Sequence, residues 1–422
     1  MKNSFTNSIS SLLFVFFIAP YGFGISNFLF LNSLDLPKVV PVIIFVIVIS
    51  KFNFRKIDLS ILFFYILFIL HFCSVFYSQN INKGLVDFLS NALLFYPGFF
   101  IPFLIIKSEY SLKRLIRMIN FVVLFYISFS IIEFVFQVNF FDFIRNSYEE
   151  GENRFNNQLG FIRLGMKSSM GPFASTLPFA YTFVTLFFLK DLYVPDFLRK
   201  NYMISLVTVF AVIAIFFTLT RAAIFSLIFL LIYKNLINSK FRTKLSFIII
   251  STIFIIILSS QIKETVFEKY ISNYIVNIFD DQSVGVDSRT NNNLIDFNYA
   301  LKSPFLGHGA GQLYLAKSND GGLGSSDSSY LVTILADRGF LSLTVFAILF
   351  FITARRCYFL SKIKSKIFNF SSLGLSLFVL FLCINSSQRL EPLFLFYFLI
   401  GLINCIYLTR KNVDINSNTN LQ

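Results

Sequence analysis

The chain has 422 residues, of which 56% are hydrophobic, 19% aromatic and only 14% charged, with 60 Phe and no Trp. A soluble domain has about 25% charged residues, so this chain has too few polar groups to cover a globule in water. Its many aromatic and β-branched residues also exclude intrinsic disorder. The formal net charge is +14, and whether it indicates an acidic partner depends on where the cations fall.

Long apolar stretches predict the secondary structure, because about 20 helical residues cross a hydrocarbon core of ~30 Å. The predicted fold class is all-α, a polytopic membrane helix bundle of about 12 transmembrane helices in a single integral membrane domain over residues 1–422. Prolines within two of the stretches (Pro97, Pro102, Pro172 and Pro178) predict kinks. In chain order the stretches are about 11–31, 38–50, 59–77, 88–106, 118–137, 169–189, 201–219, 222–233, 245–262, 329–353, 368–386 and 392–409.

The basic residues alternate from one short connection to the next, as the positive-inside rule requires. With a cytoplasmic amino terminus, 22 of the 36 Lys and Arg residues but only 5 of the 22 acidic residues fall on the cytoplasmic side. The net charge then divides into +17 inside and −3 outside. Both termini are therefore predicted to be cytoplasmic. Nucleic acid is excluded as a partner, because the cations line a membrane rim and form no soluble patch.

Two outer connections are long, at about 138–168 and 263–328, whereas the others have about a dozen residues or fewer. Loops of such length are usually functional or disordered. Periodic apolar residues in 263–328 predict that this large extracytoplasmic loop contains short helices. A transporter made of two matched halves would show internal symmetry, so this asymmetric layout counts against one.

Cofactor and metal motifs are absent from the sequence. It has no Walker, GxGxxG or HExxH motif, and its four cysteines form no CxxC pair. We therefore predict no cofactor and no metal. Because the outer face has no ATP, chemistry there must use substrates that are already activated, such as lipid diphosphates.

Arginines near the outer ends of spans are the first candidate site residues, because ionisable groups in or beside a membrane are costly. Arg221 lies at the outer junction of two spans, and its alternative role is to anchor the helix at the lipid headgroups. Arg163 lies at the end of the first long loop, with Lys167 expected one helical turn later on the same face. A solvated loop cation is the alternative for Arg163.

The second long loop and the start of the tenth span carry further candidates. Arg289 lies at a predicted helix start that runs to Leu301. His308 lies in the glycine-rich segment 307–311, which either brings backbone N–H groups to an anion or forms a tight turn. Asp327 stands where a helix N-cap would.

Asp337 and Arg338 follow within the first turns of the tenth span. Because adjacent helical residues do not face each other, each needs a separate partner.

The order and membrane sidedness of these segments resemble the O-antigen polymerase/ligase superfamily. The similar segments are Arg163-Leu164-Gly165 before Pro172, Thr218 to Ala222, Arg289, Ala300 to Gly311, Ser328 to Leu331, and Asp337-Arg338-Gly339-Phe340. Ligases of this superfamily carry a histidine where Asp327-Ser328 stands here, and His308 lies about twenty residues earlier. That departure favours a polymerase.

The resemblance implies glycosyl transfer on the outer face of the membrane. Its donor is a glycan on undecaprenyl diphosphate, and its acceptor is the terminal sugar of another lipid-linked repeat unit. Guanidinium groups bind phosphate oxygens in bidentate geometry and stabilise the leaving charge. We assign diphosphate binding to Arg221 and Arg289, then to Arg163. Asp327 or His308 is the catalytic base, and the sequence leaves that choice open.

Further expectations follow from the same resemblance. Tyr330, Tyr314 and Arg338 are candidate sugar contacts, with packing as the alternative role for the tyrosines. The expected partners are undecaprenyl-diphosphate-linked oligosaccharide, the lipid bilayer of the bacterial inner membrane and a chain-length regulator protein. One alternative function is an O-antigen ligase that transfers glycan to lipid A core. Another is a lipid-linked oligosaccharide flippase, which would carry its cations in a central cavity and lack the loop at 263–328.

Overall fold

The computed structural model describes the chain in segments with gaps between them. These are residues 58–138, 162–163, 166–169, 173, 176–193, 201–218, 220, 223–224, 226–228, 230–231, 295–313, 329–363, 365, 367–386 and 390–419. Apart from one pair of two-residue strands, the regular elements within them are helices, so the all-α class is confirmed for this part. The predicted spans 11–31, 38–50 and 245–262 and most of both long loops lie outside the described residues.

The regular elements are numbered along the described part of the chain. The α-helices are α1 (Leu59–Ser74), α2 (Ile81–Ser90), α3 (Pro97–Ile105), α4 (Glu109–Phe136), α5 (Thr176–Leu189), α6 (Asn201–Phe216), α7 (Tyr330–Ser361), α8 (Ser371–Ser386) and α9 (Leu390–Thr419). The strands are β1 (Ile162–Arg163) and β2 (Met166–Lys167). Short 3₁₀ turns cover Val75–Tyr77 and Lys190–Leu192, and a π-helical turn covers Asn91–Phe95.

Among the described helices, four are long and apolar enough to cross a membrane: Leu59–Tyr77, Glu109–Phe136, Tyr330–Ser361 and Leu393–Arg410. They coincide with the predicted spans at 59–77, 118–137, 329–353 and 392–409. Shorter apolar helices occupy Leu206–Phe216 and Ser371–Asn385. The protein is therefore a multi-pass membrane protein, and the count of about 12 spans stays a prediction.

Pro97 and Pro178 stand in the first turns of the described helices. The stretch 88–106 is divided by the π-helical turn, and Pro97 is the first residue of α3. Pro178 is the third residue of α5. In a first helical turn the backbone N–H has no intrahelical partner, so proline interrupts no hydrogen bond there. Pro102 does lie inside α3, and Pro172 is outside the described residues.

Helix α9 lies at the centre of the described bundle, where it packs against α3, α5, α7 and α8. Glycines allow its close crossing with α3. A Cβ atom on Gly98 would stand 2.6 Å from the Phe394 carbonyl oxygen, and one on Gly401 would overlap the Phe99 carbonyl. Small residues at helix crossings are typical of membrane bundles, because lipid provides no hydrophobic drive for association.

The charged and polar contacts gather at two ends of the bundle. At one end, which we call the Arg356 end, Arg356 pairs with Asp58 and Arg410 pairs with Glu109. At the other end, the Arg338 end, residues 303–313 pack on the start of α7 and on Ser78. Residues that the charge pattern assigns to the same side of the membrane therefore contact one another.

Candidate functional site

The glycine-rich segment 307–311 is a tight turn that is docked on the start of α7 and the end of α1. The His308 N–H donates to the Ala336 carbonyl (2.8 Å), and the Gly309 N–H donates to the Asp337 carbonyl (2.9 Å). The Ala310 N–H donates to the Ser74 carbonyl (3.2 Å). Since protein acceptors occupy these N–H groups, the turn does not offer them to an anion. Of the two roles left open by the sequence, the structure has the tight turn.

Glycine is required at this turn for close backbone approach. Gly309 has a φ of 100°, and a Cβ there would overlap the backbone of Ser78. Gly339, next to Arg338 in α7, has φ 74° and ψ 178°, which interrupts the helix. A Cβ on Gly339 would overlap the Phe305 carbonyl, while the Phe340 N–H donates to the Pro304 carbonyl (2.6 Å). The kink at Gly339 thus lets the backbone of Pro304 and Phe305 pack directly against α7.

The Asp337 carboxylate holds the end of the turn. It is 3% exposed, and it accepts from the Gly311 N–H at Oδ2 (3.2 Å) and from the Leu313 N–H at Oδ1 (2.8 Å). A buried carboxylate that accepts backbone N–H groups organises a loop much as a helix cap does. Asp337 therefore has a structural task, separate from its neighbour Arg338.

Arg338 lies at the buried end of a hydrogen-bonded chain. Its Nη1 donates to the Tyr96 hydroxyl (3.2 Å), and that hydroxyl lies 2.7 Å from His71 Nδ1. His71 Nε2 lies 3.1 Å from Asp87 Oδ2. The side chains come from α7, the π-helical turn region, α1 and α2. Arg338, Tyr96 and His71 are 4%, 2% and 0% exposed, whereas the Asp87 side chain is 31% exposed.

The chemistry of the two ends fixes the direction of this chain. A guanidinium only donates and an ionised carboxylate only accepts. With a neutral imidazole between these ends, the Tyr96 hydroxyl accepts from Arg338 and donates to His71 Nδ1, and His71 Nε2–H donates to Asp87. In this arrangement one ring nitrogen accepts and the other donates.

The Asp87 carboxyl is kept ionised by its surroundings. Burial opposes its ionisation, but the hydrogen bond and electrostatic interaction with His71, followed by the positive charges of Arg338 and Lys83, outweigh that effect. The pKa of Asp87 is therefore held below its usual value. The chain thus joins a buried cation to a partly exposed anion through two neutral groups.

Tyr330, a predicted sugar contact, lies in the core beside this chain. It is 1% exposed, and its hydroxyl is 2.6 Å from the Tyr397 hydroxyl. The Tyr397 ring packs edge-on against Tyr96 at 5.1 Å. Arg338 is likewise enclosed, and its Nε has no hydrogen-bond partner among the described residues. Neither Tyr330 nor Arg338 faces an open surface in this structure.

His308 is partly exposed at the outer side of the turn. Its Nε2 is 2.8 Å from the Tyr299 carbonyl oxygen, and its ring stacks on that of Tyr299 at 4.1 Å. A carbonyl only accepts, so Nε2–H is the donor in this contact. Tyr299 lies in the described helical residues 295–301, which end at Leu301 as the sequence predicts.

Arg163 lies in a short hairpin that is followed by a contact with the chain just after α6. Strands β1 and β2 are antiparallel and pair Arg163 with Met166, so Lys167 is not one helical turn away and that expectation is wrong. Gly165 between the strands favours a turn over a helix. After the hairpin, the Ser169 N–H donates to the Phe217 carbonyl (2.9 Å). The Arg163 segment is therefore tied to the chain just before Arg221.

Glu133 is a buried carboxylate at the same place that the sequence analysis did not single out. It is 1% exposed near the end of α4 and accepts from the Ser169 hydroxyl (3.0 Å). His71, Asp87 and Tyr96 were also missed as site residues. The available signal was an ionisable residue within an apolar span, which applies to His71 and Glu133.

Several predicted site residues lie outside the described part of the chain: Arg221, Arg289, Tyr314 and Asp327, together with the side chain of Arg163. Their roles stay predictions. The N-cap of α7 is Ser329, so the expected capping role of Asp327 is wrong. The helix begins two residues later than an Asp327 cap requires.

Comparison with protein families supports the resemblance. Residues 206–347, about a third of the chain, match the family model described as O-Antigen ligase. The likeness to the O-antigen polymerase/ligase superfamily, a glycosyltransferase-like class of membrane enzymes, is thereby confirmed over this region. Among curated proteins, none matches this chain. The match includes the docked turn, Asp337 and Arg338, whereas His71, Asp87 and Tyr96 lie before it.

Proposed function

We propose that this protein is an O-antigen polymerase. It joins undecaprenyl-diphosphate-linked oligosaccharide repeat units on the periplasmic face of the bacterial inner membrane. The family match over residues 206–347, which includes Arg221, Arg289 and His308, supports glycosyl transfer of this superfamily, and the sequence at Asp327-Ser328 favours the polymerase within it. The multi-pass helical architecture supports the proposal, since a lipid-linked donor must be met within the bilayer.

The reaction needs stabilisation of a leaving diphosphate more than it needs a cofactor. Arg221 and Arg289 bind the diphosphate oxygens of the donor, and Arg163 assists them. A guanidinium stays ionised and can donate two parallel hydrogen bonds. The hydrogen bond from the Ser169 N–H to the Phe217 carbonyl supports this assignment, because it joins the chain after the Arg163 hairpin to a residue only four positions before Arg221 in the sequence.

The acceptor hydroxyl lies near the docked turn. In the matched region, Asp327 and His308 are the candidate groups that take its proton. His308 is supported by its orientation: since Nε2 is engaged with the Tyr299 carbonyl, Nδ1 is the ring nitrogen that would take the proton. Tyr314, Tyr330 and Arg338 remain proposed sugar contacts. For Tyr330 and Arg338, such contact requires the buried Arg338 end to open.

A ligase that moves glycan to lipid A core is the second candidate function, and the description of the matching family favours it. The sequence at Asp327-Ser328 favours the polymerase, because the histidine expected of a ligase is not there. A flippase for lipid-linked oligosaccharides is the third candidate. The match to an enzyme family counts against it.

The lipopolysaccharide gel of a deletion strain distinguishes these candidates. Loss of a polymerase leaves lipid A core with a single repeat unit. Loss of a ligase or a flippase leaves core without any O-antigen, and a flippase defect also keeps the lipid-linked units on the cytoplasmic face. A full ladder in the deletion strain contradicts all three functions.

The diphosphate assignment is tested by complementing that strain with Arg289→Ala. We expect no chain extension, because the leaving charge loses its partner. Arg154→Ala is the matched control, since Arg154 is an outer-loop cation outside the motifs. A normal ladder from Arg289→Ala overturns the assignment, provided that membrane levels of both variants equal the wild type.

Partners and location complete the proposal. A reporter fused to the carboxyl terminus tests the cytoplasmic location of that end, for which the +17 and −3 charge division is the support. Copurification with the chain-length regulator encoded by the same strain tests that partner. A periplasmic reporter signal or a lack of copurification contradicts the respective point.

A further inference from the structure

Asp87 is the most accessible carboxylate near the docked turn in the described structure. Its side chain is 31% exposed, whereas Asp337 and Asp296 are 3% and 0% exposed. Both oxygens of Asp337 already accept backbone N–H groups. Asp87 packs against the turn, since a Cβ on Gly311 would stand 3.3 Å from the Asp87 Cβ. A solute at this turn can therefore reach Asp87.

The exposure pattern of α2 indicates that Asp87 lies at the level of the membrane surface. Ile81, Leu85 and Leu89 recur one helical turn apart and are 58%, 42% and 42% exposed. On another face Gly84 is packed against Ser78, with a Cβ-to-Cβ distance of 3.0 Å for a side chain built there. A short helix with one exposed apolar stripe lies in the interface with that stripe in lipid. The sugars and diphosphate of a lipid-linked substrate occupy the same level.

The titratable groups that face Asp87 come from four parts of the fold. His71 lies on α1, Tyr96 follows the π-helical turn, and Lys83 is on the same helix as Asp87. Helix α7 contributes Arg338, Asp337 and Tyr330. The cations and the His71 hydrogen bond favour the ionised form of Asp87, whereas the negative charge of Asp337 disfavours it. Oδ2 is engaged by His71, so Oδ1 is the oxygen that can take a further proton.

We propose that Asp87 is the general base of the glycosyl transfer and receives the proton of the acceptor hydroxyl, in place of Asp327 or His308. The proposal rests on the proposed function. In the step, the acceptor O–H bond breaks and its proton passes to Asp87 Oδ1. The acceptor oxygen bonds to the anomeric carbon of the donor. The bond from that carbon to the phosphate oxygen breaks, and its electron pair leaves with undecaprenyl diphosphate.

His71, Tyr96 and Arg338 are positioning residues in this scheme. They act through Asp87, because the donor chain from Arg338 to His71 holds Oδ2 and favours its charge. This role explains why Arg338, which lies in the family-matched region, is hydrogen-bonded to side chains that lie before that region. If these hydrogen-bonded side chains only stabilised the fold, they would not need an exposed carboxylate at one end.

The test uses wild-type protein and variants in proteoliposomes. Its probe is the lipid extract of the deletion strain, which contains that strain's own lipid-linked repeat units, and product length is read on a gel. We expect Asp87→Asn to lower the rate at least 100-fold, since general bases contribute about 10²–10⁴-fold. Asp87→Glu should recover part of it. Glu109→Gln is the control, because Glu109 is an exposed carboxylate at the Arg356 end.

A second variant separates catalysis from folding. Lys83→Gln removes a cation that favours ionised Asp87 and that is not itself a reacting group in the proposed step. The pKa of Asp87 should therefore rise, and the acid limb of the pH–rate profile should move upward by about 0.5 unit with an unchanged plateau. A merely structural Asp87 would not move this limb.

The outcomes are distinguishable. If wild-type protein does not extend the extract, the proposed function fails and the base assignment fails with it. If wild type is active and Asp87→Asn stays within about threefold of it, the base assignment alone is overturned. If Asp87→Asn does not fold, Lys83→Gln decides: an unmoved acid limb overturns the assignment and an upward shift supports it.

Discussion

Helix α7 carries two largely buried arginines, and the protein neutralises them differently. Arg356 makes a direct bidentate pair with Asp58, with Nη1–Oδ2 at 2.6 Å and Nη2–Oδ1 at 2.9 Å. Its Nη1 also donates to the side chains of Asn404 (2.8 Å) and Ser60 (3.0 Å). The Arg356 group thus ties α7 to α9 and to the start of α1.

Arg338, by contrast, reaches a carboxylate only through two neutral side chains. The hydrogen-bonded side chains run from Arg338 through Tyr96 and His71 to Asp87, whose carboxylate is partly exposed. The Arg338 Nε has no hydrogen-bond partner among the described residues. A direct ion pair holds two helices together, whereas a hydrogen-bonded series of titratable side chains responds to protonation at its exposed end. The difference indicates structure at the Arg356 end and chemistry at the Arg338 end.

The largest effect is expected where the Arg338 end depends on close backbone packing. Gly339→Ala should lower the free energy of unfolding by more than about 3 kcal/mol, because a Cβ would overlap the Phe305 carbonyl at a φ of 74°. Thermal unfolding in detergent measures the loss. Gly374→Ala is the control, since its Cβ would meet only Cys357 Sγ at 3.4 Å. Equal melting temperatures for the two variants would contradict this account of the kink.

The next effect concerns the direct pair at the Arg356 end. Arg356→Met and Asp58→Asn should each lower the free energy of unfolding by about 3 kcal/mol, because each strands a largely buried charge. The double variant should lose less than the sum of the two. Chain extension should persist below the melting temperature.

A second ion pair at the same end provides the control for this comparison of single and double variants. Arg410 and Glu109 are also paired at 3.2 Å, but Glu109 is 60% exposed. Their coupling should be below about 1 kcal/mol, as for surface pairs. Loss of activity in folded Arg356→Met would contradict the division of roles between the two ends.

The pH dependence of stability should report the same pair. Burial raises the pKa of Asp58, but hydrogen bonds from Arg356 and Ser60 outweigh it and lower the pKa from 3.8 to about 2. The unfolded chain therefore binds a proton first as pH falls. The stabilisation, about 2 kcal/mol, is complete above pH ~4 and is lost toward pH ~2.

Melting temperatures of wild type and Asp58→Asn between pH 2 and 6 test this dependence. The two curves should be farthest apart above pH ~4 and should converge at the acid end. A constant difference across the range would show that ionisation of Asp58 is not the cause.

The smallest effect is expected for Tyr330→Phe. Removing its hydroxyl breaks the 2.6 Å hydrogen bond to Tyr397, which should cost about 1 kcal/mol. Chain length on the gel should be unchanged if packing is its role. A shift in chain length without loss of melting temperature would support the sugar contact instead.

The sequence predicted much of the architecture. The predicted spans 59–77 and 329–353 correspond to Leu59–Tyr77 and to the helix that begins at Tyr330. Hydropathy succeeds here because lipid requires every span to satisfy its own backbone hydrogen bonds. The same reasoning missed the hairpin at Arg163 and the helix start at Pro97, where turn chemistry and helix-end geometry decide.

The candidate site was predictable only in part. The motif around Asp337, Arg338 and the glycine-rich turn stands out in the sequence, and the family match includes it. Asp87 and Tyr96 lie in an unremarkable helix and turn, and nothing local marks them as partners of Arg338. Tyr96 and Arg338 are 242 residues apart in the chain.

The sequence by itself determined the helical class, the described spans and the superfamily likeness, because hydropathy, charge alternation and motif order are properties of neighbouring residues. The tertiary structure decided that Arg356 pairs directly with Asp58, whereas Arg338 joins the hydrogen-bonded side chains that end at Asp87. That outcome depends on which side chains α1, α2 and α9 bring to each end of α7. Contacts between distant helices depend on close packing, which local patterns do not encode.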